Sequence, residues 1–88
     1  MRSLNLDQLQ ALETVVERAS FTAAARALNL SQSAVSVQIK ELEKRFGVRL
    51  VERLGKRAAP TTAGRELIEH HRRIVADVKL ASEAMKRH

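Results

Sequence analysis

The feature that most constrains the fold of this chain is a pair of short amphipathic segments joined by a polar turn. They lie in SFTAAARALNLSQSAVSVQIKELEKRFG, from Ser20 to Gly47. Ser20 and Ser31 can each cap a helix, because a serine hydroxyl accepts a hydrogen bond from the N–H groups of the first turn. Asn29 tolerates the left-handed backbone that ends a helix, and Leu30 is expected to fill the corner. The pattern predicts a helix-turn-helix whose second helix ends at Gly47.

The second helix of this motif has two unlike faces. Apolar residues recur at steps of four, three and four residues, at Val35, Ile39, Leu42 and Phe46. This spacing puts them on one side of a helix and predicts that they are buried. The other side carries short hydrogen-bonding groups and one valine, followed by cations: Ser33, Ser36, Val37, Lys40 and Lys44. Such a face suits base edges at its start and phosphates further along.

The charge of the chain favours a polyanionic partner. There are 16 Lys and Arg residues against 10 Asp and Glu, a formal charge of +6, which makes nucleic acid the leading candidate. The only aromatic residues are Phe21 and Phe46, so the stacking platform typical of single-strand binders is missing, and duplex DNA is the better candidate. An ordinary solvated cationic face, paired with Glu41, Glu43 and Glu52, is the alternative.

The segments around this motif predict a small, mainly α-helical domain with a β-hairpin. A first helix runs from a cap at Asn5 to about Ala19, with Leu9, Leu12, Val16 and Ala19 on its inner side and Val15 adjoining. The next helix turns Phe21, Ala24, Ala25 and Leu28 inward. Residues 48–60 alternate around Gly55 and predict a short wing. Its cations are expected to follow a phosphate backbone or enter a minor groove: Arg53, Lys56 and Arg57.

A long helix is predicted from a cap at Thr61 to near the C-terminus. Residues at steps of four, three, four, three and four form a heptad seam: Leu67, His71, Ile74, Val78, Ala81 and Met85. Ile68 and Val75 widen its first half, so that one end could pack on the domain while the rest pairs with another copy. The seam predicts a two-fold homodimer.

Other chemistries find little support in the sequence. His70 and His71 point about 100° apart on a helix and cannot share one ion, and without cysteine there is no thiolate site, so we expect no metal or cofactor. The serines lack a histidine base, and we expect no enzyme activity. The start, MRSLNLDQLQ, has no hydrophobic signal or membrane-spanning run, which predicts a cytoplasmic, nucleoid-associated protein.

Two other function classes stay open at this point. The last helix could be a basic amphipathic segment of a non-specific architectural or membrane-surface protein. Its cations are Arg65, Arg72, Arg73, Lys79, Lys86 and Arg87, but Glu66, Glu69, Asp77 and Glu83 interrupt them. The other class is a dimerisation adaptor that ignores DNA.

The stretch SFTAAARALNLSQSAVSVQIKELEKRFGVRLVER, followed by TTAG at Thr61 to Gly64, resembles the N-terminal DNA-binding domain of LysR-type transcriptional regulators. The resemblance implies a winged helix-turn-helix in residues 1–60 and a dimerisation linker helix in residues 61–88. It implies a dimer on a dyad-symmetric promoter site, and a tetramer in the full-length regulator. The family's C-terminal effector-binding domain is absent from this sequence. We therefore expect a fragment or an engineered domain, with any small-molecule effector acting only through the missing domain.

The resemblance also assigns roles to individual positions. The family's base-reading positions fall on Gln32, Ser33, Ser36 and Val37, its wing contact falls on Arg53, and Ser31 joins the phosphate-contacting set. Val37 stands where similar proteins often have a basic residue, so a thymine methyl is the expected target. Val51 replaces a usual phenylalanine and should lighten the packing of the wing on the recognition helix. Pro60 replaces a usual leucine and is expected to stiffen the joint with the linker helix.

Overall fold

The computed structural model describes residues 4–88, which form four α-helices and one antiparallel hairpin. The first three helices are α1 (Leu6–Arg18), α2 (Phe21–Leu28) and α3 (Gln32–Phe46). The hairpin strands are β1 (Val51–Leu54) and β2 (Arg57–Pro60), and α4 (Thr62–Met85) ends the fold. The predicted winged helix-turn-helix with a long final helix is confirmed. Residues 1–3 of the predicted first domain lie outside the described residues.

Each helix begins at the cap that the sequence predicts. A side-chain oxygen accepts a hydrogen bond from a first-turn backbone N–H in all four cases: Asn5 from Asp7, Ser20 from Ala23, Ser31 from Ala34 and Thr61 from Gly64. The predicted left-handed ends are also present, with φ of 56° at Asn29 and 68° at Gly47. Local side-chain chemistry therefore sets the boundaries of the helix-turn-helix.

The core lies where α1, α2 and α3 meet. Its largest fully buried side chains are Leu9, Leu12, Val15, Val35, Leu42 and Leu50. On α1 the prediction needs correction, because Val15 is fully buried whereas Val16 and Ala19 are only half-buried. The inner side of α1 is thus rotated towards Ala11 and Val15, which lets it contact α2, α3 and α4 together.

Two apolar residues predicted to be inside are in fact exposed. Phe46 is 45% exposed, because the last turn of α3 borders an open hollow with Val48 and Leu67 and extends past the core. Leu30 is also 45% exposed. The corner that it was expected to fill is closed by the main chain instead, since the Leu30 N–H donates to the Ala25 carbonyl at 2.9 Å.

The wing is attached to the helical core at both of its strands. In β2, the Ala58 N–H donates to the carbonyl of Ala19, just beyond α1, at 3.0 Å. Just before and at the start of β1, the N–H groups of Leu50 and Val51 donate to the Glu43 carboxylate on α3, at 2.8 and 3.4 Å. These bonds fix the orientation of the hairpin relative to α3.

A tight joint connects the wing to α4. The Thr61 N–H donates to the Leu50 carbonyl at 3.0 Å, and the Thr61 hydroxyl donates to the Arg49 carbonyl at 2.7 Å. Gly64 lies so close to Leu50 that a β-carbon at Gly64 would collide with the Leu50 carbonyl oxygen. Within residues 4–88, none of the helices combines the length and the apolar character needed to cross a membrane.

Candidate nucleic-acid interface

The outer face of α3 is oriented as the sequence predicts. Val37 is 51% exposed, whereas Ile39 is 3% exposed and Leu42 is fully buried. Gln32 and Ser33 are exposed in the first turn, and Ser36 is half-buried one turn later. The helix therefore presents polar groups and one branched aliphatic side chain to solvent beside a cation, Lys40.

The structure brings all four predicted base-reading side chains to one surface. They line a shallow hollow of about 360 Å³ together with a lysine and a wing arginine: Gln32, Ser33, Ser36, Val37, Lys40 and Arg53. Lys56 and Arg57 border a neighbouring hollow that Gln32 and Arg53 also line. Ser31 is exposed beside them, and Lys44 is exposed one turn beyond Lys40. Cations thus flank the hollow on α3 and on the wing.

Arg53 connects the wing to two helices. Its guanidinium donates from Nη2 to Ser36 Oγ on α3 at 3.1 Å, and it lies over the ring of Phe21 on α2, 3.8 Å from the ring centroid. Such stacking is a cation–π contact, which fixes the plane of the guanidinium. The sequence predicted Arg53 as a DNA contact but not this arrangement, because the partners are 17 and 32 residues distant along the chain.

A second internal hydrogen bond is made to one of the predicted base-reading side chains. The hydroxyl of Thr22 on α2 donates to Gln32 Oε1 at 3.4 Å, a long and therefore weak contact. Thr22 was not singled out from the sequence. Its only sequence signal is its place two residues after the Ser20 cap, which puts it next to the start of α3 in a helix-turn-helix.

Glu43 has a different role from the one considered for it. The sequence allows it to pair with exposed cations, but its side chain is only 17% exposed and its carboxylate accepts from the main-chain N–H groups of Leu50 and Val51. It also lies 3.5 Å from Arg49 Nε. A carboxylate that accepts two N–H groups serves as an anchor for the base of the wing.

The predicted dimer seam on α4 divides into two parts. Leu67 and Ile74 are half-buried against the core, whereas Val78, Ala81 and Met85 are exposed. His71 needs correction, because it is 6% exposed and its Nδ1 lies 2.7 Å from Glu13 Oε1 on α1 of the same chain. Its Nδ1 is engaged within the chain, because α4 packs against α1 at this turn.

Glu13 holds two groups of α4 at once. Besides His71, it accepts a hydrogen bond from Arg72 Nε at 3.2 Å. Partial burial raises the pKa of Glu13, but hydrogen bonds from His71, Glu17 and Arg72 outweigh this effect, and the net pKa is lowered. The pKa of neighbouring Glu17 is raised, chiefly by its hydrogen bond to Glu13 and further by desolvation and charge repulsion. The pKa values of the two carboxyls are thus shifted in opposite directions, with that of Glu13 the lower.

No metal centre is found in the part of the chain that the structure describes. Across residues 4–88, no group of three or more His, Asp or Glu side chains is placed to hold an ion. The groove between α1 and α4, about 510 Å³, mixes the acidic side chains of Asp7, Glu13 and Glu17 with apolar ones from α4.

The fold and the exposed face of α3 define a winged helix-turn-helix DNA-binding domain. Residues 6–65 match the family model described as bacterial regulatory helix-turn-helix protein, lysR family. The chain belongs to this lysR family.

Similar proteins agree with this assignment. The HTH-type transcriptional regulator CfxR of Cupriavidus necator is 43% identical over 86 residues, which cover 98% of this chain and 27% of that protein. The RuBisCO operon transcriptional regulator of Allochromatium vinosum is 41% identical over 83 residues, covering 94% and 28%. The crystal structure of the CbnR DBD–DNA complex matches with a TM-score of 0.88 at 30% identity, covering 96% of this chain and 97% of that one. The chain spans about a quarter of the length of CfxR and of the RuBisCO operon regulator.

Proposed function

We propose that this chain binds double-stranded DNA sequence-specifically as a homodimer, with one α3 helix of each copy in a major groove. The observation that carries the proposal is the hollow in which Gln32, Ser33, Ser36 and Val37 face solvent together beside Lys40 and Arg53. A helix N-terminus bearing short polar groups fits the way recognition helices meet base edges. The similar CbnR DBD was crystallised as a complex with DNA, which supports DNA as the partner.

The roles of the side chains follow from their positions. Gln32, Ser33 and Ser36 supply hydrogen bonds to base edges, and Val37 contacts a thymine methyl. Ser31, Lys40 and Lys44 lie along α3 where phosphates would pass, and Lys56 and Arg57 extend the cationic surface across the wing. The function is transcriptional regulation, because the similar proteins CfxR and the RuBisCO operon regulator carry that role in their names. The matching family is bacterial, and in a bacterium the DNA to be bound lies in the cytoplasm.

Dimerisation through α4 is the second part of the proposal. The distal half of α4 exposes large apolar side chains on the side of the predicted seam, with Val75 53%, Val78 55% and Met85 64% exposed. Pairing with another copy would bury them, at about 25 cal/mol per Å² of apolar surface. Two copies related by a two-fold axis place two recognition helices on a dyad-symmetric site.

Selection of bound duplexes from random DNA tests the binding proposal. We expect a motif with two inverted half-sites. Affinity for it should fall about 10³–10⁵-fold between 50 and 200 mM salt if some 6–10 phosphates are contacted. Equal binding to all duplexes would instead support a non-specific architectural protein, and binding to anionic vesicles in preference to DNA would support a membrane-surface protein.

Sedimentation equilibrium tests the dimer. Val78→Asp places a charge on the exposed apolar side of α4 and should weaken self-association. Ala76→Asp, about 200° around the same helix, adds the same charge away from that side and should weaken it much less. An unchanged association constant for Val78→Asp would contradict pairing through α4.

A further inference from the structure

Two of the predicted base-reading side chains already accept a hydrogen bond from within the chain. Ser36 Oγ accepts from Arg53 Nη2 at 3.1 Å, and Gln32 Oε1 accepts from the Thr22 hydroxyl at 3.4 Å. In both cases the occupied atom is the acceptor oxygen. The donor of the same side chain, the hydroxyl hydrogen of Ser36 or the amide N–H₂ of Gln32, is left for another partner.

The Arg53 contact has a fixed direction. A guanidinium has only donors, so Ser36 can do nothing but accept from it. The stacking on Phe21, which is itself 7% exposed, keeps the guanidinium in place. The positive charge beside Ser36 Oγ also repels a second hydrogen-bond donor. Ser36 is therefore arranged to donate its own hydrogen outward.

The same reasoning limits what Gln32 can read. A glutamine that recognises adenine does so with both amide atoms, since its oxygen accepts from N6 while its nitrogen donates to N7. Thr22 already uses one of the two lone pairs of Gln32 Oε1 through its long hydrogen bond, so an adenine N6 donor would have to share this oxygen with an internal donor. Guanine offers two acceptors, O6 and N7, to the amide N–H₂.

Building on the proposed DNA-binding function, we propose that Arg53 and Thr22 are positioning residues that preset Ser36 and Gln32 as hydrogen-bond donors. These two positions then select bases that present acceptors in the major groove. Gln32 favours guanine over adenine. Ser36 favours guanine or thymine over cytosine, whose major-groove edge offers only the N4 donor. Specificity at these positions thus comes partly from the wing and from α2, which supply the internal donors.

Selection from random duplexes, carried out on the wild-type chain, Gln32→Ala and Ser36→Ala, identifies the base position that each side chain controls. We expect the wild-type chain to select guanine at the base position whose preference disappears in Gln32→Ala. Thr22→Val removes the internal donor and should let adenine enter there, whereas the matched control Thr22→Ser keeps the donor and the guanine preference. The comparison of Thr22→Val with Thr22→Ser changes no residue of the wing, so its result does not depend on how variants of Arg53 fold.

The role of Arg53 is tested at the base position whose preference disappears in Ser36→Ala. Replacing a selected guanine by 7-deazaguanine, or a selected thymine by 4-thiothymine, weakens the acceptor there. Wild-type affinity should fall roughly three- to tenfold, the equivalent of one hydrogen bond, and Ser36→Ala should show no fall. Arg53→Met keeps much of the length and apolar stem of the side chain, and it should reduce the fall. Arg53→Lys, which keeps the charge without the planar fork, should behave like Arg53→Met if positioning matters.

Several results would overturn the inference while leaving the proposed function in place. They are a motif with adenine at the Gln32 position or cytosine at the Ser36 position, or a motif that Gln32→Ala and Ser36→Ala both leave unchanged. Another is an Arg53→Met variant that binds all duplexes more weakly by one common factor, because this is the behaviour of a phosphate contact. The absence of any selected motif would overturn the proposed function and this inference together.

Discussion

His71 Nδ1 lies 2.7 Å from Glu13 Oε1, and this contact joins α4 to α1 across 58 positions of sequence. Glu13 is also the acceptor for Arg72, so one carboxylate on α1 holds two successive residues of α4. The contact fixes the proximal half of the long helix on the domain and leaves the distal half exposed.

Removing the carboxylate of Glu13 should destabilise the chain. In Glu13→Ala the His71 ring, 6% exposed, loses its partner while it stays buried, and an unpaired buried polar group costs about 1–3 kcal/mol. Urea unfolding followed by circular dichroism measures the change. Glu17→Ala, one turn away on the exposed side of α1, is the matched control and should cost far less. Equal losses in the two variants would show that the His71 contact contributes nothing specific.

The acidic pair on α1 should make stability depend on pH. The pKa of Glu13 is lowered on folding, so its contribution is present above the carboxyl's unfolded pKa and is lost as pH falls through the folded value. The pKa of Glu17 is raised, so its contribution is present below its unfolded pKa and is lost as pH rises through the folded one. Unfolding free energy measured from pH 7 to pH 3 should therefore fall less steeply in Glu13→Gln. At pH 7, Glu17→Gln should unfold no more easily than wild type, because it removes a repulsion.

Glu43 should matter for the wing rather than for α3. Glu43→Ala leaves the N–H groups of Leu50 and Val51 without their acceptor, and we expect a loss of about 1–3 kcal/mol in unfolding free energy. Glu52→Ala removes the same charge from an exposed position in β1 and is expected to change stability by less than about 0.5 kcal/mol. Faster amide hydrogen exchange in 50–60, but not in 32–42, would locate the effect at the wing. Uniform acceleration would contradict an anchoring role.

Changes at Val37 and Arg57 should separate base reading from phosphate binding. Val37→Arg introduces a bidentate donor on the outer face of α3 and should move the preference at one base position towards guanine, by about 1–3 kcal/mol. Arg57→Ala should weaken binding to all duplexes alike and reduce the slope of log affinity against log salt by about 1. Fluorescence anisotropy with matched duplexes at several salt concentrations measures both. A base preference unaltered by Val37→Arg would place Val37 outside the contact.

The sequence was informative where structure is set locally. The caps at Asn5, Ser20, Ser31 and Thr61 use oxygens two or three residues from their partners, and the two faces of α3 follow from helical spacing. Phe46 shows the limit of that spacing, because a periodic stripe continues to the end of a helix even where the core does not. The contact of Glu13 with His71 joins residues 58 positions apart, and Glu43 bonds the main chain across the turn that follows α3. Helical spacing specifies neither pair.

The hydrogen bonds between Thr61 and the Arg49–Leu50 backbone have a mechanical consequence. They attach the first turn of α4 to the base of the wing, so α4 cannot swing about this end without breaking them or carrying the hairpin along. The 24 residues of α4 span about 36 Å, and a tilt of about 10° moves the far end by about 6 Å. A partner that binds the distal end of α4 and tilts the helix would consequently change the angle at which the wing approaches DNA.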